Sequence, residues 1–320
     1  MNKVSGFLVL VVSFIMVTLF SLEQPCIIDN VPDSEIVEEI ENQEPDNQNS
    51  ADAPEEETET PKENQNQQNQ TISEGPIGVG TSKVYEIKGK SNKLSEEQLA
   101  SMRNWRTDIV KFAGDLPGKV YINGFTNEKM VCLTFDDGPD GKITPQVLDV
   151  LKKHHVKASF FFIGHKLDEH PDVVKRAYQE GHLVLSHTWS HEKLTSKNHE
   201  EIEQEILLTE NKLFDLIEKR PAFIRPPFGE IDSKVTAVIN DNGGKVILWS
   251  IDTLDWSQME KDNISKNVTE NVRPGDIILM HCNDDKTATV EALPQIITSL
   301  RQKGYHFVDL GEMLQINPYQ

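Results

Sequence analysis

Two histidines and two aspartates near the middle of the chain have the spacing of a metal site. His187 and His191 are four residues apart, and on one helical turn this spacing points both imidazoles the same way, so they can share an ion. Asp136 and Asp137 are adjacent and offer the carboxylate of a two-histidine, one-acid site with open positions. The competing interpretations are a surface role for either histidine and a plain Asp-Gly turn at Asp137.

Four further ionisable residues could serve the same chemistry. Arg225 ends an apolar run before two prolines and needs a carboxylate partner, which would also suit a structural ion pair. His281 directly follows an apolar run and is a candidate proton donor, unless it is a packed core histidine. Asp252 and Asp255 end the preceding run and could orient or charge that imidazole.

All these residues lie at the trailing ends of apolar, β-rich segments. The predicted strands are Met130–Phe135, Ala158–Ile163, Leu183–Leu185, Ala222–Ile224, Val246–Ile251, Asp276–Met280 and His306–Leu310. The predicted helices are Pro145–Lys153, Glu200–Leu216, Ile231–Asn240, Asn263–Val272 and Val290–Arg301. This alternation predicts an α/β fold with a parallel sheet, and we favour a distorted or incomplete (β/α) barrel over an open doubly wound sheet. The carboxyl ends of barrel strands meet on one rim, so the ionisable residues are expected to share one cleft.

The N-terminal part of the chain has a different composition. Residues 1–24 contain the uncharged run Phe7–Leu22, which favours an uncleaved signal anchor over a cleaved signal peptide. Residues 25–80 are acidic and poor in apolar side chains, which predicts an extended, disordered linker. The remainder of the chain is therefore expected outside the cytoplasm, tethered to the membrane.

A lead-in segment, residues 81–118, precedes the predicted catalytic domain of residues 119–320. Ser95 and Gln98 form a capping box before an apolar helical face, so this helix is expected to pack on the main domain. The chain has 320 residues and a formal net charge of −20, which argues against nucleic acid as a partner. Nothing in the sequence pattern indicates an oligomeric state.

Five segments together resemble the ordered motifs of the polysaccharide deacetylases, the NodB-homology group or carbohydrate esterase family 4. They are Thr134–Pro139 (TFDDGP), His187–His191 (HTWSH), Arg225–Gly229 (RPPFG), Asp252–Trp256 (DTLDW) and Leu279–His281 (LMH). The match spans about residues 128 to 312 and keeps the order of the family's motifs.

The resemblance implies a role for each matching ionisable residue. Asp136 would be the general base, held in place by Arg225. Asp137, His187 and His191 would bind a divalent metal, usually zinc in this family. His281 would be the general acid, and we prefer Asp252, with Asp255 as the alternative, as the carboxylate that tunes it.

The resemblance also implies how the acetyl group is held. Phe228, where the family often has tyrosine, would offer its backbone N–H to the oxyanion, and Trp256 and Leu279 would line the pocket for the methyl group. The expected reaction is removal of the N-acetyl group from N-acetylglucosamine-type residues of a cell-wall polysaccharide, with peptidoglycan as the first choice. Chitin-type oligosaccharides, N-acetylmuramic residues, poly-N-acetylglucosamine and O-acetylated xylan stay open as substrates. A non-catalytic wall-binding relative and a hydrolase of non-sugar amides are the other classes.

Overall fold

The computed structural model describes residues 83–320. The predicted anchor and the linker to residue 80 lie outside this range. From residue 83 onward, the chain forms no helix that combines the length and the apolar character needed to cross a bilayer.

Nine strands of the described region form one sheet in which every pair of neighbours is parallel. The strands are β1 (Val120–Tyr121), β2 (Met130–Asp136), β3 (Ser159–Phe162), β4 (Leu183–Ser186), β5 (Phe223–Ile224), β6 (Lys245–Ile247), β7 (Ile251–Asp252), β8 (Asp276–His281) and β9 (His306–Phe307). The α-helices are α1 (Glu96–Asp115), α2 (Ile143–Lys153), α3 (Pro171–Gln179), α4 (His199–Ile217), α5 (Ser233–Asp241), α6 (Lys261–Thr269), α7 (Thr287–Gln302) and α8 (Leu310–Leu314).

The segment that contains β6 and β7 makes the sheet curl. β6 pairs with β5, whereas β7 pairs with β8, so one short stretch of chain contacts strands from both ends of the sheet. The prediction of a single strand over Val246–Ile251 is wrong because the backbone N–H groups of Leu248 and Ser250 donate to two different strands. The N–H of Leu248 donates to Tyr121 and that of Ser250 to Ile277. The resulting curled, half-barrel arrangement of parallel strands agrees with the predicted distorted or incomplete barrel.

Two other segments differ from the sequence-based expectation. Helix α3 was not predicted; it is only nine residues long and begins with Pro171 in its first turn. The last predicted strand ends early because Asp309 caps a helix, its side chain accepting the N–H of Glu312 at 2.9 Å. Both elements are too short for a clear hydrophobic period.

The strand β2 shows how the core positions the site. Val131, Leu133 and Phe135 pack into the cluster that lies against the outer helices, while Cys132 packs into the cluster on the opposite side. Since side chains alternate along a strand, Asp136 lies on the same face of β2 as Cys132. The second cluster also contains residues of α1, so this helix packs over that face of the sheet.

Helix α1 begins as its sequence predicts. Ser95 and Gln98 form a reciprocal capping box, with both side chain to backbone hydrogen bonds present. Ile109 and Ala113 of this helix are buried in the core. The lead-in segment is therefore packed on the sheet through a specific apolar face.

Candidate active site

Pairing between strands places the predicted site residues on one rim. In the register of β2 and β8, Asp136 is directly opposite His281. In the register of β4 and β5, Ser186 is opposite Ile224, so the next residues along each strand, His187 and Arg225, lie side by side. The rim thus brings together residues that are more than a hundred positions apart in sequence.

Asp137, His187 and His191 form a compact group of possible metal ligands, with ligand atoms all within 4.8 Å of one another. Oδ1 of Asp137 lies 3.4 Å from Nε2 of His187 and 3.1 Å from Nε2 of His191. Asp137 itself has a φ of 70°, a left-handed conformation that turns its carboxylate away from the strand direction.

The orientation of His187 suits this group to a cation. Its Nδ1 lies 2.6 Å from the carbonyl oxygen of Arg225, so Nδ1 carries the proton and Nε2 presents a lone pair. Because Nε2 carries no proton, His187 cannot donate a hydrogen bond to Oδ1 of Asp137. This buried oxygen has no hydrogen-bond partner among the described residues. An uncompensated buried carboxylate oxygen that faces the lone pair of His187, with a second imidazole nearby, fits a divalent metal ion.

The two histidines do not lie on a helical turn, and that part of the prediction is wrong. Residues 187–193 form a loop in which Thr188 and His191 have φ values of 65° and 58°. The loop reverses within four residues and brings the two rings to a centroid distance of 4.9 Å. Glu205 holds the loop, since its carboxylate accepts the N–H groups of Trp189 and Ser190 at 2.9 and 2.8 Å.

Arg225 is fully buried and uses its guanidinium to fix one side of the site. Nη1 donates to Oδ1 of Asp136 at 2.6 Å and to Thr134 at 2.9 Å. Nε and Nη2 donate to the carbonyls of Ile247 and Leu248 at 3.1 and 3.0 Å. These two backbone acceptors lie where β6 ends, so the same arginine orients Asp136 and stabilises the break between β6 and β7.

His281 is paired with Asp255, and the preference for Asp252 as its partner is wrong. Nδ1 of His281 lies 2.7 Å from Oδ1 of Asp255, whose Oδ2 accepts the backbone N–H of His281 at 2.8 Å and the hydroxyl of Thr289 at 2.7 Å. Burial alone would lower the pKa of His281, but the charge and hydrogen bond of Asp255, with Asp137 and Asp136 beyond, raise it to about 9. The imidazole is therefore protonated at neutral pH.

Asp252 has other partners. Its Oδ2 lies 3.5 Å from Nη2 of Arg106, and its Oδ1 accepts the N–H of Leu254 at 2.9 Å and the indole N–H of Trp256 at 3.4 Å. Burial raises the pKa of Asp252, and the nearby Arg106 opposes that rise. Asp252 ends its strand on the rim, and these contacts fix the loop that carries Trp256 rather than the imidazole of His281.

The site opens into a cleft of about 470 Å³. Phe228 and Trp256 stand at the cleft with 54% and 46% of their surface exposed, whereas Leu279 lies at its base and is buried. Phe228 has a φ of 61°, and its ring meets that of His191 edge to face at 4.9 Å. Nine of the eleven predicted site residues line the cleft. The other two, Arg225 and Asp255, lie behind it and hold Asp136 and His281.

Sequence reasoning missed the contribution of the lead-in helix. Ser101, Met102 and Trp105 of α1 line the cleft, as do Glu230 and Trp249. The apolar stripe of α1 predicted packing and gave no sign of which residues would reach past the core. Arg106 could have been noticed as a charged residue within that stripe.

Comparison with known families points to one group. A family model described as polysaccharide deacetylase matches residues 123–247. A peptidoglycan-N-acetylglucosamine deacetylase from Bacillus cereus is 42% identical over 196 residues, which cover 61% of this chain and 71% of that protein. A peptidoglycan-N-acetylglucosamine deacetylase from Listeria monocytogenes is 41% identical over 59% of this chain and 40% of its own length.

A solved structure supports the same relationship. The Bc1960 peptidoglycan N-acetylglucosamine deacetylase, determined with a hydroxamate-type benzamide, has a TM-score of 0.62 and 39% sequence identity. The match covers 63% of this chain and 95% of that one.

Proposed function

Because this chain belongs to the polysaccharide deacetylase family, we propose that it hydrolyses the N-acetyl group of N-acetylglucosamine-type residues in a cell-wall polysaccharide, releasing acetate. The observation that carries the proposal is the meeting of a buried carboxylate, a three-ligand metal group and a protonated imidazole in one open cleft. Peptidoglycan is our first choice of substrate, supported by the names of the relatives. Chitin-type oligosaccharides are the alternative.

We assign Asp137, His187 and His191 as the ligands of a divalent cation, with Zn²⁺ as the proposed ion because two imidazoles and one carboxylate suit it. When bound, such an ion polarises the acetamide carbonyl and lowers the pKa of water. The hydrogen bond from Nδ1 of His187 to the Arg225 carbonyl holds the ring in the ligand orientation.

Asp136 is assigned as the general base. One of its oxygens is held by Arg225, which leaves the other, Oδ2, to receive a proton from the attacking water. Oδ2 lies on the side of the metal ligands, 3.8 Å from Nε2 of His187. The guanidinium also keeps the carboxylate in one rotamer, so no reorganisation is needed as the proton arrives.

His281 is assigned as the general acid. Asp255 holds Nδ1, so the proton on Nε2 is the one available to the departing sugar nitrogen. Asp136 and His281 lie opposite each other across the β2–β8 pair, which puts base and acid on adjacent strand ends. The acetyl group would lie between them, with the Phe228 N–H on its oxyanion and with Trp256 and Leu279 around its methyl group.

We further propose the cellular setting. Residues 1–24 would act as an uncleaved anchor and residues 25–80 as an extended tether, which would hold the catalytic domain of residues 119–320 close to the outer face of the membrane. A cleaved signal peptide with secretion is the alternative. The uncharged run at the N-terminus and the acidic, apolar-poor stretch after it support this arrangement.

The test is acetate release from purified peptidoglycan, with mass spectrometry to locate the acetyl loss. Asp136→Asn and His281→Ala should each lower the rate by about 10²- to 10⁴-fold, while Asp215→Asn, an exposed acid on α4, should match the unsubstituted protein. Catalytic-residue variants that stay fully active would overturn the assignment. Tight binding of glycan with no acetate release from any sugar would indicate a wall-binding protein instead.

A further inference from the structure

Helix α1 precedes the family-matched residues 123–247, yet it forms part of the cleft. We infer that α1 is one wall of a groove that extends past the catalytic cleft at both ends and holds an extended glycan chain. The inference rests on the proposed function and concerns the length and charge of the substrate.

Two further cavities continue the catalytic cleft along α1. One, of about 340 Å³, shares Ser101, Met102 and Trp256 with the cleft and continues toward the start of the helix at Leu94. The other, of about 460 Å³, shares Trp105 and Glu230 with the cleft and continues toward Phe112. Because each outer cavity shares lining residues with the cleft, the three cavities adjoin one another along the helix, as the inferred groove requires.

The surfaces at these junctions suit sugar rings. Trp256 stands where the cleft meets the first cavity, and Trp105 stands where it meets the second. Phe112 and Leu94 add partly buried apolar surface further out. The C–H faces of pyranose rings pack against aromatic and aliphatic side chains, so neighbours of the reacting sugar have a surface on either side.

The charge of the groove indicates which glycan it accepts. None of the described side chains that line the three cavities is a lysine or arginine. Glu97 and Asp108 line the two outer cavities, whereas Glu230 is paired with Lys193 at 2.6 Å. In the two outer cavities, a strand that presents bare carboxylates or phosphates would meet the like charge of Glu97 and Asp108. The groove therefore fits a chain of N-acetylhexosamine units whose sugar rings carry no free carboxylate.

Helix α1, the proposed wall of the groove, packs against the loop that carries Phe228. A side chain at Gly229, in the loop of Phe228, would come within 2.7 Å of both Trp105 and Trp249. The two tryptophans can pack at a centroid distance of 5.6 Å because residue 229 is glycine with a φ of 66°. Trp105 of α1 therefore packs directly against Gly229, which follows Phe228 in the site.

The segment before α1 adds a second attachment. The N–H of Lys88 donates to Ser250 at 2.9 Å, and the N–H of Asp252 donates to Lys88 at 2.8 Å. Arg106 of α1 then bonds both the Gly89 carbonyl, at 2.8 Å, and the Asp252 carboxylate. With the segment before α1 and the middle of α1 both held, this wall is in place before substrate binds, which reduces the ordering cost of binding a long chain.

The experiment measures kcat/KM for acetate release from N-acetylglucosamine oligomers between the dimer and the hexamer. We expect a rise of about tenfold with length, because binding energy from remote sugars contributes to the reaction. Phe112→Ala should remove at least half of that rise. Asp108→Trp, a change at an exposed position that fills the second cavity without disturbing the core, should do the same. Asn104→Ala, on α1 but outside the groove, should keep it.

The outcomes separate this inference from the proposed function. No acetate from any oligomer or from peptidoglycan would defeat the function itself. Acetate release that is independent of length, or equally length-dependent in Asp108→Trp, would defeat the groove while leaving the function intact. A hexamer with free carboxylates on alternate sugars should react several-fold more slowly than the neutral hexamer, and an equal rate would refute the charge argument.

Discussion

Nδ1 of His281 lies 2.7 Å from Oδ1 of Asp255, and the other oxygen of that carboxylate accepts the backbone N–H of the same histidine at 2.8 Å. The carboxylate therefore fixes both the ring and the strand end that carries it. This double contact keeps a proton on Nδ1 and stabilises the charged form of the ring, so the Nε2 proton of that form is the one that can be transferred.

The pairing of these two residues predicts the alkaline limb of the pH profile. Asp255 raises the pKa of His281 to about 9, so the acid form is present below that pH and is lost above it. Asp255→Asn removes the anion and lowers the pKa, so the fall in kcat/KM should move to lower pH. Asp252→Asn, which alters the carboxylate bonded to Arg106, should leave the limb near its original place. An unmoved limb in Asp255→Asn would contradict the role assigned to His281.

Metal removal should abolish activity. We expect a chelator to stop acetate release and a divalent metal salt to restore it, because the buried oxygen of Asp137 then regains its cation. His191→Ala should lower the metal content measured by elemental analysis. His199→Ala, an exposed histidine at the start of α4, should retain full occupancy, and equal occupancy in both variants would exclude the assigned ligand set.

Arg225 should matter for stability as well as for activity. Arg225→Leu leaves the Asp136 carboxylate and two strand carbonyls without their donor, so the free energy of unfolding should fall by about 3–5 kcal/mol. Urea denaturation measures this change. Arg103→Leu, at an exposed site on α1, should change it by less than about 0.5 kcal/mol. Similar values for the two variants would show that the buried contacts of Arg225 contribute little.

Alanine substitution at Gly229, which contacts Trp105 of α1, and at Gly114, within α1, should have opposite effects on the stability of the protein. Gly229→Ala should destabilise the protein by about 1–3 kcal/mol, because the new methyl group would overlap two tryptophan rings at a positive φ. Gly114→Ala, in α1 with nothing within 4 Å of the new methyl group, should stabilise it by about 0.5–1 kcal/mol. Thermal denaturation measures both, and a shift of the same sign in each would contradict the packing described.

Much of the fold could be predicted from the sequence because the apolar runs and their trailing ionisable residues are local patterns. Asp136, Arg225 and His281 each follow a continuous apolar run, and parallel pairing then places them on one rim.

The parts that could not be predicted depend on exact backbone geometry or on contacts between distant segments. His187 and His191 meet through two left-handed residues in a loop, which their four-residue spacing could not reveal. Asp252 and Asp255 are three residues apart, and the choice of partner for His281 was decided by Thr289 and Arg106 on other elements. The break between β6 and β7 reflects a change of hydrogen-bond partners that a hydrophobic run does not record.

Gly89 approaches Asp252 so closely that a side chain there would lie 2.0 Å from the Asp252 carbonyl oxygen. The start of the lead-in region is thus paired with β7, and a short connection joins this paired segment to α1. The rotation of α1 about its axis is fixed independently of that connection, because Ile109 and Ala113 are buried in the core and Trp105 packs against Gly229. Substitution of an exposed α1 residue that lines the cleft, such as Ser101, therefore offers evolution a way to diversify the recognition of glycans separately from the hydrolytic chemistry.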